Sequence, residues 1–477
     1  MKIDFTALKK IHFTGIKGVA MAALATVAKE AGKKITGSDI EEEFPTAGVL
    51  QKIQITPERG FSKENIIKAK PDLVVYTGAH GGRDNPEVAS AREAGIPVLP
   101  HGQALGLAMA GRKQITVAGS HGKTTASAML ATMLSAGGFD PSYAIGCGEI
   151  FGLGLPGHWG KGEYFVAEGD EYLTDPGHDL TPRFLWQKPE VLVVTNIDYD
   201  HPDAYRSLSE VQKTFLALQG QQSGKRITVI NLDDPASAPL RSSAANTIIT
   251  YGFSVRADLQ ITHLAFGVGR TFVHLSENGM PVTELSLKVP GRHNALNAAA
   301  VAAAGRVLGL AWPQIREGLL AFAGTKRRFE KLGETGGMIF YDDYAHHPAE
   351  IAATIAAVRA WYPKRRIVTL FQPHTYSRTK VFLTDFAQSL SQSDLVLLTE
   401  IYASARETDN LGVSGTSLAE KVLPLNRQTF FAPGREEAVK LLARNCRIGD
   451  IVIFMGAGDI YNWEKEIVEK FRMMNDE

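Results

Sequence analysis

The fold of this 477-residue chain is decided by one stretch, Ile115-Thr116-Val117-Ala118-Gly119-Ser120-His121-Gly122-Lys123-Thr124-Thr125. A β-branched run leads into a glycine turn, and Lys-Thr-Thr then opens an alanine-rich amphipathic segment from Ala126 to Ser135. This order predicts a buried strand, a tight loop and the start of a helix. Backbone N–H groups at such a helix N-terminus can hold an anion.

The loop is a candidate phosphate loop for ATP. Lys123 would neutralise phosphate charge, and the Thr124 hydroxyl would be offered to Mg²⁺. The usual pattern has a further glycine where this chain has Val117, so a strict pattern search misses the motif. A purely structural strand–helix turn is the alternative, and we favour nucleotide binding because strand, Gly-Lys-Thr and helix follow in order. The predicted nucleotide contacts here are Gly119, Ser120, His121, Gly122, Lys123, Thr124 and Thr125.

Length and composition indicate an ordinary globular protein of about three domains. Hydrophobic residues make up 44% of the chain and charged residues 21%. The 51 basic and 51 acidic residues cancel, which gives no reason to expect nucleic acid or an anionic membrane as partner. The two cysteines, Cys147 and Cys446, support neither a disulfide framework nor a zinc site. Without a signal peptide or a run of ~20 apolar residues, we expect a cytoplasmic protein.

Strand-like and helix-like patterns alternate along the chain, which predicts an α/β protein with parallel sheets covered by helices. We expect three domains: a Rossmann-like N-terminal domain (1–111), a central phosphate-loop ATPase α/β domain (112–323) and a C-terminal Rossmann-like domain (324–477). Within the central domain, residues 247–289 alternate in short segments with turn residues, closer to an antiparallel sheet.

Carboxylates follow two predicted strands of the central domain. Glu168 comes after the strand 164–167, and a polar run from Asn196 to Asp203 follows the strand 191–195. We expect the two strands to be adjacent, so both clusters would meet at the edge where open α/β sheets bind ligands. Thr124, Glu168 and His201 would then hold Mg²⁺, which prefers one or two carboxylates together with phosphate oxygens. Taken singly, each acid could also be a solvated loop charge.

Polar groups also open a second alanine-rich helix and mark the second domain boundary. Asn294 and Asn297 suit the edge of a purine, and Arg292 suits a phosphate, although Asn294 could simply cap the helix. The run 326–328 consists of three cations, one of which is Arg328. A hinge that faces a triphosphate explains this run better than a solvated linker does.

In the last third, side chains of the same kind follow two more predicted strands. Asp343, Tyr344 and His346 come after the strand 338–341, and His374 and Arg378 come after the strand 366–371. An arginine and histidines suit a substrate that carries a carboxylate, and an aspartate suits a pair of ribose hydroxyls. Two histidine-bearing loops at one sheet edge are harder to explain as surface residues than a single histidine would be.

Together these segments resemble the peptidoglycan Mur ligase family over nearly the whole chain. The most specific stretches are 119–125, 195–201, 291–297, 342–348 and 371–379. The resemblance implies a UDP-sugar domain, an ATPase domain and an amino-acid domain. It also implies that ATP, with Mg²⁺, phosphorylates the muramoyl carboxylate of UDP-N-acetylmuramate, and that an amine then attacks the acyl phosphate. A plain dinucleotide dehydrogenase is disfavoured, because Gly15-x-x-Gly18 lacks the full Gly-x-Gly-x-x-Gly fingerprint.

The resemblance also assigns roles by motif position. The catalytic residues would be Lys123, Glu168, His201, His346 and Arg378. Beyond the phosphate loop, the ATP contacts would be Arg292, Asn294, Asn297, Arg328 and Asp343, and the metal ligands Thr124, Glu168 and His201. The substrate contacts would be Gly15, Lys17, Gly18, Ser38, Asp39, His80, Asn196, Tyr344, His346, His374 and Arg378. A monomer or homodimer is expected, with no nucleic-acid or membrane partner.

The amine substrate divides the family. Residues 291–297, 342–348 and 371–379 look like members that add L-alanine, and this is the function we favour. Glu168-Gly169-Asp170-Glu171-Tyr172 and the long stretch 172–189 look more like the recycling members, which attach an L-Ala-D-Glu-diaminopimelate tripeptide to the same UDP-sugar. A nucleotide-binding regulator that kept the fold and lost turnover is the non-enzymatic alternative, although every matched catalytic position is filled.

Overall fold

The structure, a computed structural model, describes residues 3–242, 245–403, 407 and 409–476. Its three large sheets lie one in each third of the chain. This confirms the predicted α/β class with three sheet units. Over the described residues, no helix is both long and apolar enough to cross a membrane.

The first third forms a five-stranded sheet in the order β3-β2-β1-β4-β5, with all pairs parallel. Apolar runs such as Leu73–Tyr76 are buried along their whole length, as expected for a parallel sheet with both faces covered. The strands are β1 (Lys10–Thr14), β2 (Lys34–Asp39), β3 (Glu58–Arg59), β4 (Leu73–Tyr76) and β5 (Val98–Pro100). The helices are α1 (Val19–Glu30), α2 (Ala47–Lys52), α3 (Lys63–Ala69), α4 (Pro86–Glu93) and α5 (His101–Met109), with short 3₁₀ helices at Phe5–Ala7 and Gly82–Asp84.

The central third is built on one ten-stranded sheet, in the order β17-β16-β15-β14-β13-β12-β6-β9-β7-β8. Its strands are β6 (Lys113–Ala118), β7 (Ser142–Ala144), β8 (Gly157–His158), β9 (Tyr164–Gly169), β12 (Val191–Val194), β13 (Ile227–Asn231), β14 (Thr247–Gly252), β15 (Leu259–Gly267), β16 (Arg270–Glu277) and β17 (Met280–Leu287). A separate hairpin pairs β10 (Leu173–Asp175) with β11 (Asp179–Pro182). The helices are α6 (Lys123–Ala136), α7 (Leu208–Gly220), α8 (Arg292–Val307) and α9 (Trp312–Ala321), with 3₁₀ helices at Arg183–Trp186 and Pro235–Ser242.

Two expectations about this sheet are wrong in detail. Strands β9 and β12 are not adjacent, because the phosphate-loop strand β6 lies between them and pairs in parallel with both. Their polar ends therefore flank the phosphate loop on both sides, which is a better position for ligands than a shared edge beside it. The stretch 247–289 is not a sheet of its own: β14 pairs in parallel with β13, and the antiparallel strands β15 to β17 extend the same sheet.

Small residues let the helices of the central domain approach closely. The alanines of α6 and α8 are almost entirely buried. A Cβ added to Gly305 or to Gly318 would lie 2.7 Å from atoms of Met133 on α6. This close packing fixes the direction of α6, whose N-terminus carries the lysine and threonines of the loop.

The last third forms a six-stranded sheet in the order β18-β19-β23-β20-β21-β22, parallel except for the β18–β19 pair. Its strands are β18 (Glu330–Thr335), β19 (Met338–Asp343), β20 (Ile367–Phe371), β21 (Leu395–Leu398), β22 (Thr429–Phe431) and β23 (Ile451–Met455). The helices are α10 (Pro348–Trp361), α11 (Tyr376–Val381), α12 (Leu383–Leu390), α13 (Gly415–Val422), α14 (Arg435–Asn445) and α15 (Tyr461–Asp476).

Candidate active site

The loop between β6 and α6 needs two glycines for different contacts. Gly119 has φ +144°, and a Cβ there would lie 1.9 Å from the Thr195 hydroxyl oxygen. Gly122 has φ +80°, and a Cβ there would lie 2.7 Å from the Asn297 amide oxygen. Ser120 and His121 lie between them and are held by β12's loop: Ser120 Oγ accepts from Asp198 N, and Asn196 Oδ1 accepts from His121 N. The backbone is thereby kept close to the neighbouring strand and helix.

Lys123 lies at the first position of α6 and faces carboxylates. Its Nζ is 3.2 Å from Glu171 Oε2 and donates to the carbonyl of Ser120, also at 3.2 Å. Burial alone would lower the pKa of Lys123, but Glu171 and the nearby Asp170 and Glu168 raise it, so the amine is charged. A charged, largely buried lysine at a helix N-terminus suits a phosphate ligand.

Thr124 and Glu168 form the core of the predicted magnesium site. The Thr124 hydroxyl donates to Glu168 Oε1 at 2.7 Å, and the other carboxylate oxygen accepts from Gly146 N at 2.9 Å. Burial raises the pKa of Glu168 above its ordinary value. A hydroxyl and a carboxylate side by side are the oxygen donors that Mg²⁺ prefers, so these residues fit the ion.

His201, the third predicted metal ligand, is placed against other acids. Its Nε2 is 3.8 Å from Glu171 Oε1 and 3.7 Å from Asp200 Oδ2, and its ring packs against Tyr172. His201 is thus linked to the lysine side of the loop through Glu171. Its place among the metal ligands stays a prediction.

A cavity of about 240 Å³ adjoins the loop and collects most of the predicted nucleotide contacts. It lies between the loop, the start of α8 and the C-terminal domain. Asn297 donates to Asn294 at 3.3 Å, and Asn294 donates to the carbonyl of Pro290. Asn294 does not cap α8, whose N-cap residue is Gly291. The lining includes His121, Gly122, Thr125, Asn196, Asn294, Asn297, Arg328, Asp343 and Glu350.

Asp343, at the end of β19, is the acid of this cavity. Its carboxylate accepts from Phe329 N at 2.9 Å and from Ala345 N at 2.8 Å. Burial raises the pKa of Asp343 to about 7, although Arg328 opposes the shift. An acid held by backbone donors beside a cavity that also holds two asparagines is well placed for a ribose.

The other cations predicted to face phosphates are placed differently. Arg292 is exposed and its guanidinium stacks on Phe253 at 3.3 Å from the ring centroid, so it does not line the cavity. Arg327, part of the cationic run, is buried and pairs with Asp342 at 3.0 Å inside the C-terminal domain. Of the run 326–328, only Arg328 reaches the cavity.

His121 connects the central and C-terminal domains. Its Nε2 is 3.1 Å from Asp198 Oδ2, and its Nδ1 is 3.2 Å from Glu350 Oε1 on α10. Burial alone would lower the pKa of His121, but these two hydrogen bonds raise it to about 10, so the ring is charged at neutral pH. Glu350 also accepts from His346 N at 3.1 Å, which joins the phosphate loop to the predicted substrate loop.

Arg378 makes a second link between these domains. It lies on the short helix α11, and its Nη2 donates to Asp200 Oδ1 at 2.8 Å, with both side chains only 6% exposed. Nη1 donates to the carbonyl of His374. Burial lowers the pKa of His374 to about 4, so that ring is neutral. The predicted carboxylate fork is therefore partly occupied by Asp200.

The loop after β19 supplies the remaining predicted substrate groups. His346 Nδ1 lies 3.0 Å from the carbonyl of Tyr344, and burial lowers the pKa of His346 to about 3. The neutral ring carries its proton on Nδ1, since only that tautomer can donate to a carbonyl, and Nε2 is left as an acceptor. Tyr344 lies under the guanidinium of Arg328, at 4.9 Å from its ring centroid.

In the N-terminal domain the predicted UDP-sugar contacts group around β1 and β2. Gly15 has φ +82° and packs on Thr77, and Gly18 is the N-cap of α1. Lys17 donates through its backbone N to Asp39 Oδ2 at 2.7 Å and through Nζ to the carbonyls of Ile40 and Glu42. The Nζ thus holds the loop after β2. His80 Nε2 is 3.8 Å from Asp39 Oδ1.

Ser38 is placed differently from its neighbours. It is fully buried, and its hydroxyl donates to Glu87 Oε2 at 2.6 Å, an oxygen that Thr14 and His12 also contact. Its hydroxyl thus serves a buried hydrogen-bond network.

Three residues of the site were not among the predicted functional residues: Glu171, Asp200 and Glu350. Glu171 and Asp200 lie within motifs that were singled out, but sequence does not say which acid of a cluster faces the lysine or the arginine. Glu350 lies four residues after His346, one turn along the chain, which is the only sequence signal for it.

Comparisons with known proteins agree with this architecture. Three family models match: "Mur ligase family, catalytic domain" at residues 10–113, "Mur ligase middle domain" at 117–305 and "Mur ligase, glutamate ligase domain" at 327–458. A relative named UDP-N-acetylmuramate–L-alanine ligase from Desulfitobacterium hafniense (strain Y51) is 39% identical over 96% of this chain and 99% of its own. The chain belongs to the Mur ligase family. As a Mur ligase it is an ATP-using enzyme that forms an amide bond.

Solved structures of Mur ligases resemble it along its whole length. A UDP-N-acetylmuramate–alanine ligase from Thermotoga maritima aligns with a TM-score of 0.82 and 28% identity, covering 98% of this chain and all of the other. A murein peptide ligase from Psychrobacter arcticus aligns with a TM-score of 0.73 at 23% identity, covering 97% of this chain and 98% of the other. The second likeness concerns the fold alone.

Proposed function

We propose that this Mur ligase joins L-alanine to the muramoyl carboxylate of UDP-N-acetylmuramate in peptidoglycan precursor synthesis. The observation that carries the proposal is the cavity beside the phosphate loop. There Asn294, Asn297, Arg328 and Asp343 meet the loop, while the substrate histidines follow on the same side of the interface. The relatives named for this reaction support the choice of substrates.

ATP would lie with its base and ribose in the cavity and its phosphates along the loop. Lys123 and Arg328 would balance the charge on the transferred phosphoryl group, which needs positioning more than covalent help. Thr124 and Glu168, with His201 nearby, would hold Mg²⁺, which supplies further charge neutralisation when bound. The carboxylate oxygen of the muramoyl group takes the γ-phosphoryl group, and ADP leaves.

The amine would enter from the C-terminal domain. It attacks the carbonyl carbon of the acyl phosphate, and the tetrahedral intermediate collapses with loss of phosphate and of the amine proton. His346 Nε2, an acceptor in the neutral ring, would orient the amine, and Arg378, His374 and Tyr344 would shape the pocket. Contacts across the domain interface exclude water from the acyl phosphate.

The UDP-sugar would bind the N-terminal domain at Gly15, Lys17, Gly18, Asp39 and His80. We place the domain boundaries near residues 111 and 323, which is supported by the family-model ranges and by the three sheets. Because its substrates are nucleotides and a free amino acid, the proposed reaction belongs in the cytoplasm.

The hairpin β10–β11 bears on the choice between L-alanine and the tripeptide. This hairpin lies in the stretch that resembles the recycling ligases, and it packs on the N-terminal domain. Asp175 accepts from Arg83 N at 3.0 Å, and His178 Nε2 is 3.0 Å from Asp84 Oδ2. These contacts are with the domain proposed for the UDP-sugar, so the hairpin is not evidence for a larger amine substrate.

Amine profiling tests the proposal. Phosphate release is measured with ATP and UDP-N-acetylmuramate, adding L-alanine or the L-Ala-D-Glu-diaminopimelate tripeptide in separate reactions. We expect turnover with L-alanine and much slower turnover with the tripeptide. Faster turnover with the tripeptide would reverse the assignment, and no turnover with either amine would refute it.

A further inference from the structure

A cluster of nitrogen and oxygen donors lies where the central domain meets the C-terminal domain. His121, Asp198 and His347 each offer one donor atom, and these atoms all lie within 4.8 Å of one another. The rings of His121 and His347 are 4.7 Å apart, centroid to centroid. This cluster is separate from the Thr124–Glu168 pair, and the proposed ligase reaction leaves His347 and Asp198 without a role.

The spacing within the cluster suits a tetrahedral ion. Zinc binds histidine nitrogen and carboxylate oxygen at about 2.0 Å, so two ligands of one tetrahedral ion lie about 3.3 Å apart. His121 Nε2 and Asp198 Oδ2 are separated by 3.1 Å. A metal ion at this point would replace the proton that the two atoms now share and would release it.

Glu350 already has the place of an outer partner. It lies 3.2 Å from Nδ1 of His121, the nitrogen opposite the one that faces Asp198. A carboxylate that accepts from the far nitrogen of a histidine fixes the ring and its tautomer for a metal. The carboxylate–histidine–metal order is thus present on both sides of His121.

His347 supplies an unused donor atom. Its Nδ1 accepts weakly, at 3.4 Å, from Ala349 N at the start of α10. Its Nε2 is buried and makes no hydrogen bond to any residue the structure describes, and His347 as a whole is 5% exposed. Burial lowers the pKa of His347, which keeps the ring in the neutral form that binds metals. Coordination through Nε2 would give up only the weak cap contact.

From this geometry we propose that His121, Asp198 and His347 form a binding site for a transition-metal dication of the zinc class. Imidazole nitrogen favours such ions over Mg²⁺, which takes oxygen donors. Since Asp198 is 44% exposed at its side chain, the ion has a route in from solvent. The bound ion would tie the phosphate loop to α10 and hold the two domains closed, which would slow a reaction that needs opening for product release.

The test measures zinc binding to the full chain by competition with a chromophoric chelator, in excess Mg²⁺ and without nucleotide or UDP-sugar. We expect one tight zinc equivalent in the wild-type protein. His347→Gln should weaken binding by at least about 100-fold, and Glu350→Gln, which removes the outer partner, by about 10- to 100-fold. Asp198→Asn, on a more exposed residue, repeats the test if His347→Gln does not fold.

The control is His274→Gln on β16, where His274 and His263 form a second histidine pair with ring centroids 5.3 Å apart. Zinc affinity should be unchanged in this variant. The proposal is overturned if His274→Gln loses the zinc, or if His347→Gln and Asp198→Asn bind it as tightly as the wild type. The measurement is independent of the ligase assay, so failure of either proposal can be told from failure of the other.

Discussion

At the scale of single residues, burial decides the charge state of the candidate site. Asp343 and His346 lie on one loop, yet burial raises the pKa of the acid to about 7 and lowers that of the histidine to about 3. Both shifts favour the neutral form, because burial removes water from the charged one. His121 is the exception, since two carboxylates hold it charged.

The pKa of Asp343 predicts a pH-dependent stability. Its folded-state pKa of about 7 lies above the unfolded value of about 3.9, so its contribution to stability is present at low pH and lost as pH rises through 7. The unfolding free energy of Asp343→Asn, relative to wild type, should therefore increase by about 2 kcal/mol from about pH 5.5 to about pH 8.5. Urea denaturation at both pH values measures this, and a pH-independent difference would contradict the assigned pKa.

Arg378→Lys separates two roles for the arginine. The buried pair with Asp200 spans two domains, so we expect kcat to fall by about tenfold or more and the KM values for ATP and L-alanine to rise together. If Arg378 instead grips only the amino-acid carboxylate, the change will be confined to KM for L-alanine. Steady-state kinetics with each substrate varied in turn distinguishes the two, with Arg359→Lys, whose ion pair with Asp394 lies within one domain, as control.

At the scale of elements, α6 is bounded by two glycines with the same backbone conformation and different surroundings. Gly122 before the helix has φ +80° and Gly138 after it has φ +83°. A Cβ at Gly122 would press on the Asn297 amide, whereas no atom lies within 4 Å of a Cβ at Gly138. The pair therefore separates backbone strain from steric closure of the phosphate loop.

Alanine at these glycines should have unequal effects. Both Gly122→Ala and Gly138→Ala should cost about 1–2 kcal/mol of stability through the left-handed backbone. Only Gly122→Ala should raise the KM for ATP, by tenfold or more as an order of magnitude, because it displaces Asn297. Equal KM values in the two variants would show that the loop does not need a close approach at Gly122.

Strand β9 carries the proposed magnesium ligand at its C-terminal end. Glu168→Gln should shift half-maximal activity to an Mg²⁺ concentration at least about tenfold higher, because an amide oxygen is a weaker ligand than a carboxylate. Glu163→Gln, just before the same strand and paired with exposed Lys113, should leave the Mg²⁺ dependence unchanged. Lost turnover with an unaltered Mg²⁺ dependence would assign Glu168 another role.

At the scale of the whole molecule, charged pairs hold the domains together around the cavity. Glu350 meets His121, Arg378 meets Asp200, and Tyr461 donates to the carbonyl of Glu43 at 2.6 Å between the C-terminal and N-terminal domains. Interfaces made of such pairs open more readily than apolar ones. The closed arrangement is therefore adjustable by single charges.

Glu350→Gln should favour the open arrangement. Removing one charge-assisted hydrogen bond, worth about 1.5–3 kcal/mol, would lower the ratio of closed to open molecules about tenfold or more. Small-angle scattering should show a larger radius of gyration, and kcat should fall. Glu420→Gln on the exposed side of α13 is the control; an unchanged radius and kcat in Glu350→Gln would mean that closure does not depend on this pair.

The sequence by itself determined the α/β class, the order of the strands along the chain and the phosphate loop, because apolar periodicity, glycine spacing and Gly-Lys-Thr are local signals. It also named most of the residues that line the cavity. Only the tertiary structure decided that β6 separates β9 from β12, that Ser38 serves a buried network and that Arg292 stacks on Phe253. It alone revealed Glu350 and Asp200 as interdomain partners. Such pairings join residues distant in sequence, and they depend on sheet order and domain packing, which no local pattern records.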